Sequence, residues 1–121
     1  MANLRELLSR VTQISGVRAA VLTGREGLPL EGAGRGDTRL FETLAALGAS
    51  ALQTAEALGA EMPVGATLGT VLEYERALVR VDPLGEYAAV VTLVENAAAV
   101  ARVRQTLLSS RGEILRALDA T

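Results

Sequence analysis

The sequence predicts an α/β domain of the α+β kind: a five-stranded antiparallel sheet flanked by helices, in the order α-β-β-α-β-β-β-α. Three observations lead there. Apolar spacing switches between a helical period and a period of two along the 121 residues. Within each group the period-two runs are joined by short Gly- or Pro-bearing turns, which make hairpins rather than parallel crossovers, and one long helix separates the two groups. Half of the residues are hydrophobic and Cys is absent, so one domain over 1–121 is expected to fold on an apolar core without disulfides.

Leu4, Leu7, Leu8, Val11 and Ile14 recur at helical spacing, so residues 4–15 read as an amphipathic helix ending before Gly16. Val17 to Thr23 is a β-rich run, closed by Gly24-Arg25-Glu26-Gly27 and answered by the short strand Leu28-Pro29-Leu30-Glu31. Pro29 keeps that strand short or partly unpaired. Gly32-Ala33-Gly34-Arg35-Gly36 is expected to break the structure as a flexible loop. Asp37 or Thr38 then caps a long helix.

Two apolar stripes run along this helix. Leu40, Leu44, Leu47, Ala51, Ala55 and Leu58 form the first; Phe41, Ala45, Gly48, Leu52 and Gly59 form the second beside it. Together they cover an arc of roughly 180°, more than packing on one sheet requires. The helix therefore has two surfaces to cover. From Met62 to Leu72 the period is two, with small residues at Gly65, Thr67 and Gly69, which reads as a strand that another backbone can approach closely. Glu75 to Val81 is the next strand and Asp82-Pro83-Leu84-Gly85 a turn. Tyr87 to Val94 is almost continuously apolar, as in a strand covered on both faces. Asn96 caps a last helix carrying Val100, Val103, Leu107, Ile114 and Leu118 on one side, with Gly112 as a point where it kinks or frays.

The missing residue types exclude much chemistry. His, Cys, Trp and Lys are absent, and all 12 basic residues are Arg. An ordinary zinc site, a His-activated nucleophile, a Schiff-base lysine and a Walker-type phosphate loop are thereby removed. Carboxylate chemistry remains, but Glu73 and Glu75 are its only suggestive pair, and they read as a solvated strand end. No catalytic residue, metal ligand or cofactor is expected. A net charge of -2 and three aromatics, Phe41, Tyr74 and Tyr87, argue against nucleic acid. A charged N-terminus without a long apolar run argues against an export signal or membrane insertion and favours the cytoplasm.

The stretch from Gly16 to Leu30, with its Gly-closed turn, resembles the roadblock family of dynein light chains and bacterial regulators of Ras-like GTPases. So does the stretch from Leu68-Gly69-Thr70-Val71 through Asp82-Pro83-Leu84-Gly85 and Val90-Val91-Thr92-Leu93-Val94 into the Asn96 helix. The resemblance implies a profilin-like roadblock fold and a homodimer, or a heterodimer with a paralogue. In such a dimer third strands pair and second helices pack side by side. On that basis the contact residues are Phe41, Ala45, Gly48, Ala49, Leu52 and Glu56 on the long helix, and Gly65, Thr67, Gly69 and Val71 on the strand after it. The resemblance further implies a non-enzymatic scaffold or regulator of a small Ras-like GTPase. Surface arginines, among them Arg25, Arg35, Arg39, Arg76 and Arg80, are candidates to act on it, although the resemblance implies action through helix and loop surfaces more than through a donated arginine. The alternative is a small-molecule sensor of the profilin-like or PAS-like type, which requires a pocket of convergent polar groups.

Overall fold

A computed structural model describes residues 3–120. Met1, Ala2 and Thr121, the ends of the expected 1–121 span, lie outside the described residues. The elements follow the predicted order: α1 (Leu4–Thr12), β1 (Val17–Gly24), β2 (Pro29–Gly34), α2 (Thr38–Ala60), β3 (Thr70–Glu73), β4 (Leu78–Leu84), β5 (Ala88–Val94) and α3 (Ala97–Asp119). The strands form one antiparallel sheet in the order β2-β1-β5-β4-β3. The almost continuous apolar run of β5, broken only by Thr92, is thus the centre of the sheet, where both faces are covered.

Strand alternation divides the core into two layers. Ala20, Leu22, Leu84, Val90 and Val94 face α1 and α3, where they meet Leu7, Leu8, Val11, Val103, Leu107 and Ile114. Ala19, Val21, Val79, Val81, Ala89 and Val91 face α2. A register shift between Val17 and Ala19 returns Val17 to the first layer and leaves Arg18 in solvent. Each fully buried Val or Leu contributes about 1.5–3 kcal/mol, so the two layers carry most of the stability.

Helix starts are fixed by side chains. Asn3, Asp37 and Asn96 each accept a hydrogen bond from the backbone N–H three residues on, satisfying a donor that the first helical turn leaves free. Asp37, not Thr38, is the cap of α2. Gly112 neither kinks nor ends α3, which runs unbroken to Asp119.

Four expectations are corrected. α1 ends at Thr12, three residues earlier than expected. The Gly32-Ala33-Gly34 stretch is not a loop: it extends β2 and pairs with Val21, Ala20 and Ala19. Asp82, Pro83 and Leu84 are not a turn but the end of β4, opposite Val90, Ala89 and Ala88; the turn is Gly85–Tyr87. Pro83 is tolerated there because β3 stops short of it, leaving that part of β4 as an edge. Finally, Met62 to Gly69 is not a strand. Gly65 takes φ +86, which ends extended structure, and only Thr70–Glu73 pairs with β4.

Candidate interaction surface and cleft

At 23 residues, α2 is about 35 Å long and crosses one whole face of the sheet. The structure assigns its two stripes the opposite way from the sequence reading. Ala45, Gly48, Ala49 and Leu52 are buried within the chain's own fold, so these four expected contact residues are unavailable to a partner. The cause is the sheet beneath them. Its α2 face is studded with Val79, Val81 and Val91, and small helix residues let the backbone come down onto that bulk. Phe41 is half-buried, its ring packed on Gly32 of β2 so closely that a Cβ there would fall 3.1 Å from the ring.

Of the other stripe, Leu44 is buried in the same layer and Leu40 packs against it, while the remainder points outward. Leu47 is 66% exposed and Leu58 62%, with half-buried Ala51 and Ala55 between them. Large apolar side chains left in water along one helix face form a patch of the kind that marks an interaction site. β3, the short edge strand, leaves Val71 exposed as well, on the sheet face opposite α2 that it shares with Arg80. Gly65 and Thr67 lie in the loop before β3 rather than on a strand, and Gly69 packs on the Arg80 guanidinium. Of the ten expected contact residues, Val71 alone is both exposed and on a sheet edge.

Two of the candidate arginines have internal work. Arg25 donates from Nε to the Ala88 carbonyl at 2.9 Å, from Nη2 to the Gly85 carbonyl at 2.8 Å and from Nη1 to Glu56 at 2.6 Å. It clamps the β4–β5 turn to α2, and it engages Glu56, another expected contact residue. Arg80 is buried and donates from Nε to Asp82 Oδ1 at 3.0 Å and from Nη2 to the Leu68 carbonyl at 3.3 Å. Burial pushes the Asp82 carboxyl above the usual carboxylate range, opposed by the hydrogen bond and charge of Arg80 and by the charge of Arg104. Arg35, Arg39 and Arg76 are exposed.

Beside Asp82 is a cleft of about 680 Å³ between the end of α2, the loop at 65–68, the edge of β4 and the middle of α3. The sequence reading missed it. Arg80 and Asp82 are two apart and share one sheet face only if β4 extends through Asp82, which the presumed turn obscured. Among the described residues there is no group of three or more acidic side chains placed to hold a metal ion. No described helix is long and apolar enough to cross a membrane.

The family model for the Roadblock/LC7 domain matches residues 4–95. A solved Roadblock/LC7 domain from Streptomyces avermitilis is 22% identical, with a TM-score of 0.80 over 94% of this chain and 99% of that one. The gliding protein MglB from Thermus thermophilus is 24% identical, with a TM-score of 0.80 over 96% of this chain and 88% of that one. A structure described as MglB with a tetrameric arrangement is 24% identical, with a TM-score of 0.81 over 95% of this chain and 87% of that one. At these identities the likeness establishes the fold. No curated protein matches the sequence.

Proposed function

The chain belongs to the Roadblock/LC7 family, and from that premise we propose that it is a single-domain, non-enzymatic scaffold or regulator that self-associates and binds a small Ras-like GTPase. The observation that carries this reading is the outward stripe of α2, with Leu47 and Leu58 in solvent, beside the unpaired edge of β3. A second copy, or a paralogue, covers the stripe helix against helix and continues the sheet strand against strand. The tetrameric arrangement recorded for an MglB protein supports self-association. The GTPase role rests on the family. Its chemistry resides in the partner, whose switch loops a docked surface can order.

Sedimentation at micromolar concentration tests the first half, with a dimer or larger assembly expected. Leu47→Glu with Leu58→Glu yields a folded monomer, because both residues lie outside the core. A wild-type chain that stays monomeric overturns the reading. For the second half, nucleotide-loaded lysate from the source organism is passed over the immobilised protein. Recovery of a small GTPase whose hydrolysis rate or localisation changes on binding is expected; recovery of none in either nucleotide state counts against the role.

A further inference from the structure

The free side of the edge strand β3 follows from its paired side. The Tyr74 N–H donates to the Ala77 carbonyl at 2.9 Å, and this pair continues the β3–β4 register by one step. In an antiparallel ladder only alternate residues bond towards a given neighbour. Tyr74, Leu72 and Thr70 therefore spend their backbone groups on β4, while Val71 and Glu73, with Gly69 before them, turn theirs outward. The side chains of Val71 and Glu73 lie on the sheet face opposite α2, the face of Arg80, because Val71 stands opposite Arg80 in the register.

Arg80 gives this edge a charge that its own chain does not fully use. Nε and Nη2 are engaged by Asp82 and the Leu68 carbonyl. Nη1 makes no hydrogen bond to a described residue, and it is not among the atoms sealed from solvent. The guanidinium lies against Gly69, so close that a Cβ at position 69 would run into it. Glycine there leaves no side chain between the charge and whatever approaches the edge. Glu73 is exposed and takes part in none of the ion pairs among the described residues. Within one chain the two cannot meet, since Glu73 is opposite Leu78 and lies about 13 Å along the strand from Gly69. An anion at one end of an edge and an uncovered cation at the other become neighbours when a two-fold axis pairs the edge with itself.

Such an axis makes the pairing antiparallel, and outward residues must then face outward residues. Centring on Glu73 opposes two carboxylates, which is destabilising. Centring on Leu72 sets Glu73 against Val71, and Thr70 against Tyr74, where the chain already turns towards β4. Centring on Thr70 carries Glu73 past Gly69. Centring on Val71 uses the whole of 69–73: valine meets valine, Thr70 meets Leu72, and Glu73 meets Gly69. Resting on the self-association proposed above, we infer that two copies pair β3 about Val71, and that Glu73 of each copy reaches over Gly69 of the other to accept from its Arg80 guanidinium. The Arg80 site is thus completed by the second copy. The two symmetric ion pairs fix the register, and they select a partner strand that carries both the glycine and the carboxylate.

The chain has no cysteine, so single cysteines report the register directly. Val71→Cys, Leu72→Cys and Glu73→Cys are sedimented in the reduced form and then oxidised at equal concentration. Directly opposed residues stand about 5 Å apart between Cα atoms, within reach of a disulfide, whereas an offset of two residues gives about 7–8 Å, beyond it. Val71→Cys is expected to form covalent dimer, and the other two are not. Preferential cross-linking of Leu72→Cys or Glu73→Cys overturns the register, and so does a Val71→Cys protein that associates without cross-linking. Glu73→Gln is expected to weaken association about tenfold, the worth of a charge-assisted hydrogen bond. In the monomeric Leu47→Glu, Leu58→Glu background the same substitution leaves the melting temperature unchanged, which separates a contact with the second copy from a role inside the chain. Association of Glu73→Gln as tight as wild type overturns the ion pair. A wild-type chain that stays monomeric overturns this inference together with the self-association, whereas a dimer cross-linked at another position overturns this inference alone.

Discussion

Gly48 of α2 lies so close over Val91 of β5 that a Cβ at position 48 would fall 2.6 Å from Val91 Cγ2. An exposed helix glycine changed to alanine gains about 1 kcal/mol from propensity. Here the added methyl instead pushes the helix off the sheet, at an overpacking cost of about 1–3 kcal/mol. Gly48→Ala is therefore expected to lower the stability measured by urea unfolding, by up to about 2 kcal/mol. A gain of about 1 kcal/mol would mean that α2 does not approach the sheet this closely.

Leu52 and Leu47 are five residues apart on the same helix and have opposite fates. Leu52 is fully buried, so Leu52→Ala should cost about 2–5 kcal/mol in urea unfolding of the monomeric Leu47→Glu, Leu58→Glu background. Leu47→Ala, placed in a Leu58→Glu background and compared with Leu47→Glu, Leu58→Glu, should leave stability within about 0.5 kcal/mol, since the side chain makes little use of the core. Comparable losses at both sites would contradict the assignment of the two faces.

Arg25 ties together three acceptors that a lysine cannot span at once: two carbonyls of the β4–β5 turn region and one carboxylate of α2. Arg25→Lys and Arg25→Ala should both lower the melting temperature, with losses of about 1–3 kcal/mol. Amide exchange at Gly85–Tyr87 is expected to accelerate in both. Loss of stability without faster exchange there would place the effect elsewhere.

The acid limb of stability has two contributions of opposite sign. Glu113 accepts from Arg10 at 3.0 Å across the α1–α3 surface, and this hydrogen bond holds its carboxyl below the usual carboxylate range. Its contribution is present above the unfolded value and lost as pH falls through the lowered folded value. Asp82 runs the other way: its raised folded value gives a contribution that is full below the unfolded value and lost as pH rises through the folded one. Carbon-detected NMR titration should show Glu113 titrating low and Asp82 high. Arg10→Ala should move Glu113 back up and leave Asp82 where it is.

The order of elements is legible in the sequence because caps and periods are local: Asp37 and Asn96 announce their helices, and the nearly continuous apolar run of β5 announces the centre of the sheet. The faces of α2 are not legible. A helix with two apolar stripes offers no local sign of which one meets a sheet, and small residues suit a close helix neighbour as well as a valine-studded sheet. The extent of β3 is hidden for a related reason: alternation over Met62–Leu72 looks the same whether or not Gly65 turns the chain. Arg80 resembles a solvated strand residue for as long as its partner Asp82 is read as part of a turn. The cleft is invisible for want of that one pairing.

The pairing of β1 with β5 also bears on how the chain reaches its fold. The Arg18–Glu95 ion pair beside that pairing joins residues 77 positions apart. Hairpins such as β1–β2 and β4–β5 can form early, but the two halves of the sheet remain separate until the last strand is available. High sequence separation at the heart of a sheet slows folding, since loop closure is costly before the contacts can compensate. During synthesis the early hairpin, which ends at Gly34, and the apolar side chains of α2, which ends at Ala60, therefore wait, uncovered, for a strand that begins only at Ala88. A truncation within β5 is expected to abolish the fold outright rather than leave a stable amino-terminal half.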